Sequence, residues 1–97
     1  MYEYKTTGTC ATKINFDIVE REGKKVVSGV KFTGGCNGNT QGVARLVEGM
    51  EVNEAIDRMK GIRCGFKPTS CPDQLANALS SALIGVLVSD NAVAKAI

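Results

Sequence analysis

The chain contains four cysteines and no histidine. Together these two facts define the chemistry open to it. Without imidazole there can be no Ser-His-Asp triad and no Cys-His dyad. Metal sites with a histidine ligand are excluded as well, including His-bearing catalytic zinc and two-histidine iron. Thiolate, carboxylate, amine, guanidinium and backbone remain. Cys10, Cys36, Cys64 and Cys71 are separated by 25, 27 and 6 residues. Such a set admits three uses: disulfides, unconnected buried thiols, or one metal held by sulfur alone.

Disulfides belong to oxidising compartments, and the sequence points elsewhere. Met1-Tyr2-Glu3-Tyr4-Lys5 lacks the apolar stretch of a signal peptide. The longest apolar run, residues 83–88, is interrupted by Gly85. It is far short of the roughly 20 residues that cross a bilayer. A cytoplasmic location and no membrane association are therefore expected.

Three features favour metal over scattered core thiols. Each cysteine sits in a turn context: Gly8-Thr9-Cys10, Gly35-Cys36-Asn37-Gly38, Cys64-Gly65 and Ser70-Cys71-Pro72. A hairpin centred on Gly23 would bring Cys10 opposite Cys36. Cys71 stands at a predicted helix N-terminus, whose dipole favours an anionic ligand. Charge agrees with this reading, because Arg58, Lys60, Arg63 and Lys67 precede Pro72 with no acid among them. There is no pair of C-x₂-C knuckles, so the spacing is not that of a zinc ribbon. An all-sulfur set suits structural zinc or an iron–sulfur cluster. Zinc is the simpler expectation, since no closely spaced pair is present. Four thiolates leave no open position for substrate, so the site would be structural.

The elements that must position these residues can also be read. With 97 residues, net charge +2, 43% hydrophobic and 5% aromatic content, the chain is one domain, residues 1–97, with an aliphatic core. A near-neutral charge of mixed sign argues against a non-specific nucleic-acid binder. Residues 12–20 alternate, with Ile14, Phe16 and Ile18 on one face, and residues 26–33 repeat the pattern after a polar turn. A centre at Gly23 pairs Ile14 with Phe32 and Phe16 with Val30. Residues 1–7 form an earlier strand.

Three helices are expected after the strands. The glycine-rich run Gly34-Gly35-Cys36-Asn37-Gly38-Asn39 reads as a tight loop before a short helix over residues 40–47. Asn53 is the expected N-cap of a second helix, residues 54–60, with Ala55, Ile56 and Met59 inward and Glu54–Arg58 as an i,i+4 pair. Ser70 caps the last helix, with Pro72 in its first turn and Asp73 as the capping-box partner. Its stripe of Leu75, Leu79, Ala82, Leu83, Val86 and Leu87 should run on to Asp90-Asn91. The fold class is thus α+β: an N-terminal antiparallel meander of about three strands, packed as a single layer pair against C-terminal helices. Ile14, Phe16, Ile18, Val30, Phe32, Leu75, Leu79, Leu83 and Val86 form the expected core.

Thr69-Ser70-Cys71-Pro72-Asp73 resembles the signature of the TSCPD domain family. Gly35-Cys36-Asn37-Gly38-Asn39 and Gly61-Ile62-Arg63-Cys64-Gly65 extend the resemblance over residues 10–87. Domains of this family occur as small stand-alone proteins, the form this chain looks like. They also occur at the C-terminus of adenosylcobalamin-dependent (class II) ribonucleotide reductases. The resemblance implies metal ligation, by zinc, at Cys10, Cys36, Cys64 and Cys71. It carries over no activity, because 97 residues cannot hold a reductase barrel or a cobalamin site. Cobalamin is expected only in the larger fused relatives. What it implies is an accessory role in deoxyribonucleotide and DNA synthesis, with a ribonucleotide reductase or a nucleotide or nucleic acid as partner. Two alternatives stay open. One is a thiol redox module cycling Cys64 and Cys71; the other is an anion or nucleotide site at the Gly34–Asn39 loop. Leu87, Val88, Val93 and Ile97 leave apolar surface near the C-terminus, and a homodimer is the expected assembly.

Overall fold

The computed structural model describes residues 1–9, 11–35 and 37–85. Strand β1 (Tyr2–Lys5), strand β2 (Ala11–Arg21) and strand β3 (Lys24–Gly34) form an antiparallel sheet in the order β1-β2-β3. Three helices follow: α1 (Asn37–Val47), α2 (Val52–Met59) and α3 (Cys71–Leu83). The expected α+β arrangement, a meander followed by helices, is what forms. Helices cover one face of the sheet, with α1 and α2 against β3 and α3 against β2 and α2. The other face is polar. There Lys13 pairs with Glu3 at 3.6 Å and the N-terminal ammonium with Asp17 at 3.2 Å. This is the division expected of a sheet with one wet face.

Ile14, Phe16, Leu75 and Leu79 are fully buried, as their alternation and helical spacing demand. Tyr2 stacks on Phe16 with ring centroids 5.1 Å apart. Ile18, Val30, Phe32 and Leu83 pack around this centre half-buried. Val86 lies outside the described residues. Val27, Val47, Val52, Ala55, Met59, Ala76 and Ala78 complete the core.

The hairpin register departs from the simple expectation, for a definable reason. The turn is the two-residue Glu22-Gly23, with Arg21 paired to Lys24, so its centre lies half a residue before Gly23. Both turn residues have positive φ, 53° and 79°, the condition of the tight hairpin turn whose twist matches the strands. From there Ile18 faces Val27 and Asp17 faces Ser28. Gly29 and Val30 together then oppose Phe16, forming a bulge, after which Ile14 meets Phe32. The expected Phe16–Val30 pair is therefore not a ladder pair. Gly29 has φ 63°, a conformation that a side chain makes costly. The two-residue turn puts odd-numbered Val27 on the core face, and the extra residue at the bulge shifts that face to the even-numbered Val30 and Phe32.

Glu48 holds the bulge from outside. Its carboxylate accepts from the Gly29 N–H at 2.8 Å and from the Ser28 hydroxyl at 3.0 Å. The link between α1 and α2 also runs along β3. The Val27 N–H donates to the Met50 carbonyl at 2.9 Å, and the Gly49 N–H to the Val27 carbonyl at 2.8 Å. Part of an otherwise open sheet edge is thereby paired.

The helices differ from expectation at their ends. α1 begins at Asn37, so Gly38 and Asn39 are its first turn rather than loop. α2 begins at Val52, with Glu51 at the cap position and Asn53 already inside the helix. The Glu54–Arg58 pair forms, at 3.0 Å. α3 ends at Leu83, earlier than the stripe suggested. Gly85 takes φ 83° and donates to the Ala82 carbonyl, a left-handed C-terminal stop that glycine adopts at little cost. Val86, Leu87 and the expected dimer surface lie outside the described residues.

Candidate metal centre

The start of α3 organises the site. Ser70 is extended (φ −150°, ψ 170°), and its Oγ accepts from the Asp73 N–H at 3.1 Å, the expected N-cap bond. The same hydroxyl donates to the Ile62 carbonyl at 2.7 Å. Cys71 is the first helical residue, 7% exposed, with Pro72 next to it. Asp73 does not complete a capping box by reaching back to Ser70. One of its carboxylate oxygens accepts from the Gly61 N–H at 2.7 Å and the other from the Thr69 hydroxyl. The acid thus ties the loop of residues 61–69 to the helix instead of satisfying the helix alone.

Gln74 continues the network. Its Nε2 donates to Thr69 Oγ1 at 3.1 Å, and its Oε1 accepts from the Thr7 N–H at 3.2 Å. Gln74, Thr69 and Ser70 are all buried. Buried polar groups need partners, and among the described residues no buried side-chain nitrogen or oxygen lacks one.

Of the four predicted ligands, Cys64 and Cys71 are described. Cys71 Sγ lies 3.1 Å from Thr9 Oγ1, a contact between residues 62 positions apart. Cys64 is exposed, in a turn where its N–H donates to the Thr69 carbonyl at 3.2 Å and its carbonyl accepts from Lys67 at 3.0 Å. Cys10 and Cys36 lie outside the described residues, and so does their expected side-by-side placement. Their chain neighbours are described. A Cβ on Gly35 would stand 3.2 Å from the Ala11 backbone nitrogen, and one on Gly8 would stand 3.1 Å from Thr69 Cγ2. Thr9, which precedes Cys10, therefore lies at the first turn of α3, Cys64 is tied by its N–H to Thr69 just before that turn, and Gly35, which precedes Cys36, lies against Ala11, which follows Cys10. The described Cys, Asp and Glu residues form no group of three or more able to hold a metal.

The donor chemistry fits a thiophilic metal. Cys71 presents a shielded sulfur with a hydroxyl beside it, and Cys64 is held on a short loop by main-chain bonds. The proposed ligands are sulfur only, the set that zinc accepts in closed structural sites.

Reading the sequence alone missed Thr9, Thr69 and Gln74 as functional neighbours. Only Thr69 carried a signal, as part of the five-residue signature. The other expected anion site is altered, because Gly34 ends β3 and Asn37 starts α1, which leaves little loop between them. Among the described residues no helix is long and apolar enough to cross a membrane.

The TSCPD domain family model matches residues 2–83 of the chain, from β1 to the last residue of α3. No curated protein and no solved structure gives a significant match.

Proposed function

Because the chain belongs to the TSCPD domain family, we propose that it is a non-enzymatic accessory module whose Cys10, Cys36, Cys64 and Cys71 hold one structural zinc ion. The observation that carries this reading is the buried Cys71 sulfur beside the hydroxyl of Thr9, the residue before Cys10, at the seam between the start of α3 and the 6–9 segment. Zinc held by four thiolates has no open position and contributes folding energy. The protein's own residues prepare the seam. Ser70 fixes the start of α3, Asp73 and Gln74 bind the 61–69 loop and the 6–9 segment to it, and Thr9 orients the Cys71 sulfur. Resemblance to the domains fused to adenosylcobalamin-dependent reductases supports a role beside ribonucleotide reductase in deoxyribonucleotide synthesis. The module would be cytoplasmic and would bind the reductase or its nucleotide.

Metal content of protein purified without chelator tests the zinc reading. About one equivalent is expected, as for a four-ligand site. Cys36→Ser and Cys71→Ser should each lose most of it. Metal-free protein with intact thiols would overturn the assignment. For the accessory role, binding to the catalytic barrel of a class II reductase is the measurement. No association at about 100 μM, weaker than about −5 kcal/mol, would remove that partner.

A second reading rests on the contrast between an exposed Cys64 and a buried Cys71. Such a pair could reduce a partner disulfide: the Cys64 thiolate attacks it and releases one partner thiolate, then Cys71 attacks the Cys64 sulfur of the mixed disulfide, releasing the second partner thiolate and leaving a Cys64–Cys71 disulfide. Metal-free protein with a reversible Cys64–Cys71 disulfide would favour it.

A further inference from the structure

Cys71 is buried, so water does little to solvate its sulfur. The first turn of α3 does not serve that sulfur either. The Asp73 N–H goes to Ser70 Oγ at 3.1 Å, and the Gln74 N–H goes to the Ser70 carbonyl at 2.8 Å. Among the described residues, the hydrogen-bond partner of the sulfur is the Thr9 hydroxyl, at 3.1 Å. A neutral thiol and a hydroxyl can bond in either direction. A thiolate can only accept, and metal binding takes the thiol proton away. With zinc bound, Thr9 is therefore the donor.

Thr9 reaches this sulfur from a segment that is itself held in place. The Thr6 N–H donates to the Thr12 carbonyl at 3.1 Å, and the Thr6 hydroxyl to the Ala11 carbonyl at 2.5 Å. The Thr7 N–H donates to Gln74 Oε1 at 3.2 Å. Gly8 passes so near Thr69 that a Cβ there would stand 3.1 Å from Thr69 Cγ2. Residues 6–8 thus set Thr9 against the start of α3 without help from a metal. The next residue is Cys10. Thr9 is joined to one expected ligand by its peptide bond and to another by its hydroxyl.

We propose that Thr9 is a positioning residue of the metal centre: its hydroxyl donates to the Cys71 thiolate, takes up part of the sulfur's charge, and so sets how tightly the site holds zinc. This role rests on the zinc reading above. Four thiolates around one divalent ion leave net negative charge on the sulfurs. Hydrogen bonds to charged acceptors are stronger than bonds between neutral groups. At a buried sulfur, charge stripped of its donor is not recovered by solvent. Donors of this kind, one shell outside a metal, change its affinity by about 10–100-fold.

Two measurements on the full chain test it: zinc affinity by competition with a chromophoric chelator, and the absorption spectrum of the protein loaded with Co²⁺. Thr9→Val keeps the shape and removes the hydroxyl; Thr9→Ser keeps the hydroxyl. Thr9→Val should bind zinc about 10–100-fold more weakly, while Thr9→Ser stays within about threefold of wild type. Thr33→Val, the same change at an exposed strand position, should leave the affinity unaltered. A sulfur without its donor gives up electron density more readily. The sulfur-to-cobalt charge-transfer bands of Thr9→Val should therefore move to lower energy, and those of Thr9→Ser should not. Loss of packing alone would not shift the bands of the loaded protein in this way. Wild-type protein that takes up neither metal would overturn the zinc reading and the role of Thr9 together. Wild-type protein that binds zinc would leave that reading standing, and three results would then overturn the role of Thr9 alone: Thr9→Val binding as tightly as wild type, Thr9→Ser as weak as Thr9→Val, or cobalt bands that do not move.

Discussion

Gln74→Leu tests the claim that a polar clamp, rather than apolar packing alone, holds the site end of the molecule together. Leu has nearly the same volume, so no cavity opens and the change isolates hydrogen bonding. Two bonds are lost: the one accepted from the Thr7 N–H at 3.2 Å and the one donated to Thr69 Oγ1 at 3.1 Å. A neutral bond contributes about 0.5–1.5 kcal/mol net, and a donor left dry costs about 1–3. Thr7 is exposed and can recover water, while Thr69 still donates to Asp73. The expected loss is therefore about 2 kcal/mol, the sum of two neutral bonds. For a domain of this size that lowers Tm by roughly 8–16 °C. Urea and thermal unfolding followed by circular dichroism, on metal-loaded and metal-stripped protein, give the number. Asn77→Ala, at an exposed position on the same helix, should stay within about 0.5 kcal/mol. A cycle with Thr69→Val should show coupling of at least about 0.5 kcal/mol. If Gln74→Leu matches wild type within about 0.5 kcal/mol, the buried bonds do not stabilise the seam and the argument fails.

Leu79→Ala, at a fully buried position against the sheet, should cost about 2–5 kcal/mol by the same assay; a cost under about 1 kcal/mol would mean that the site collapses freely. Gly29→Ala meets no atom within 4 Å, so its cost comes from the backbone φ of +63° alone, about 1–2 kcal/mol. If it proves neutral, the bulge conformation is not required. If the four-cysteine site holds the proposed zinc, a chelator should lower Tm by more than any single polar substitution, because metal binding is linked to folding; an unchanged Tm would argue against a structural role.

Much of this fold is carried by local rules, and those parts were legible in the sequence. Alternation at Ile14, Phe16 and Ile18 set the phase of β2, Ser70 capped α3, and Glu54 and Arg58 met one helical turn apart. Each depends on residues only a few positions away. The family likewise follows from motifs spread along the chain. Tertiary structure decided the rest. Gly29 and Val30 share one partner because Glu48, about twenty residues on, receives the Gly29 N–H; no two-residue period announces that. Asp73 looked like a capping-box acid but bonds to Gly61 and Thr69, because the loop folds back over the helix start and supplies nearer donors. Thr9 and Gln74 had no sequence signal at all. Their partners, Cys71 and Thr7, are 62 and 67 positions away. A buried polar side chain bonds to whatever group packing places beside it, and a pattern of neighbours along the chain does not contain that information.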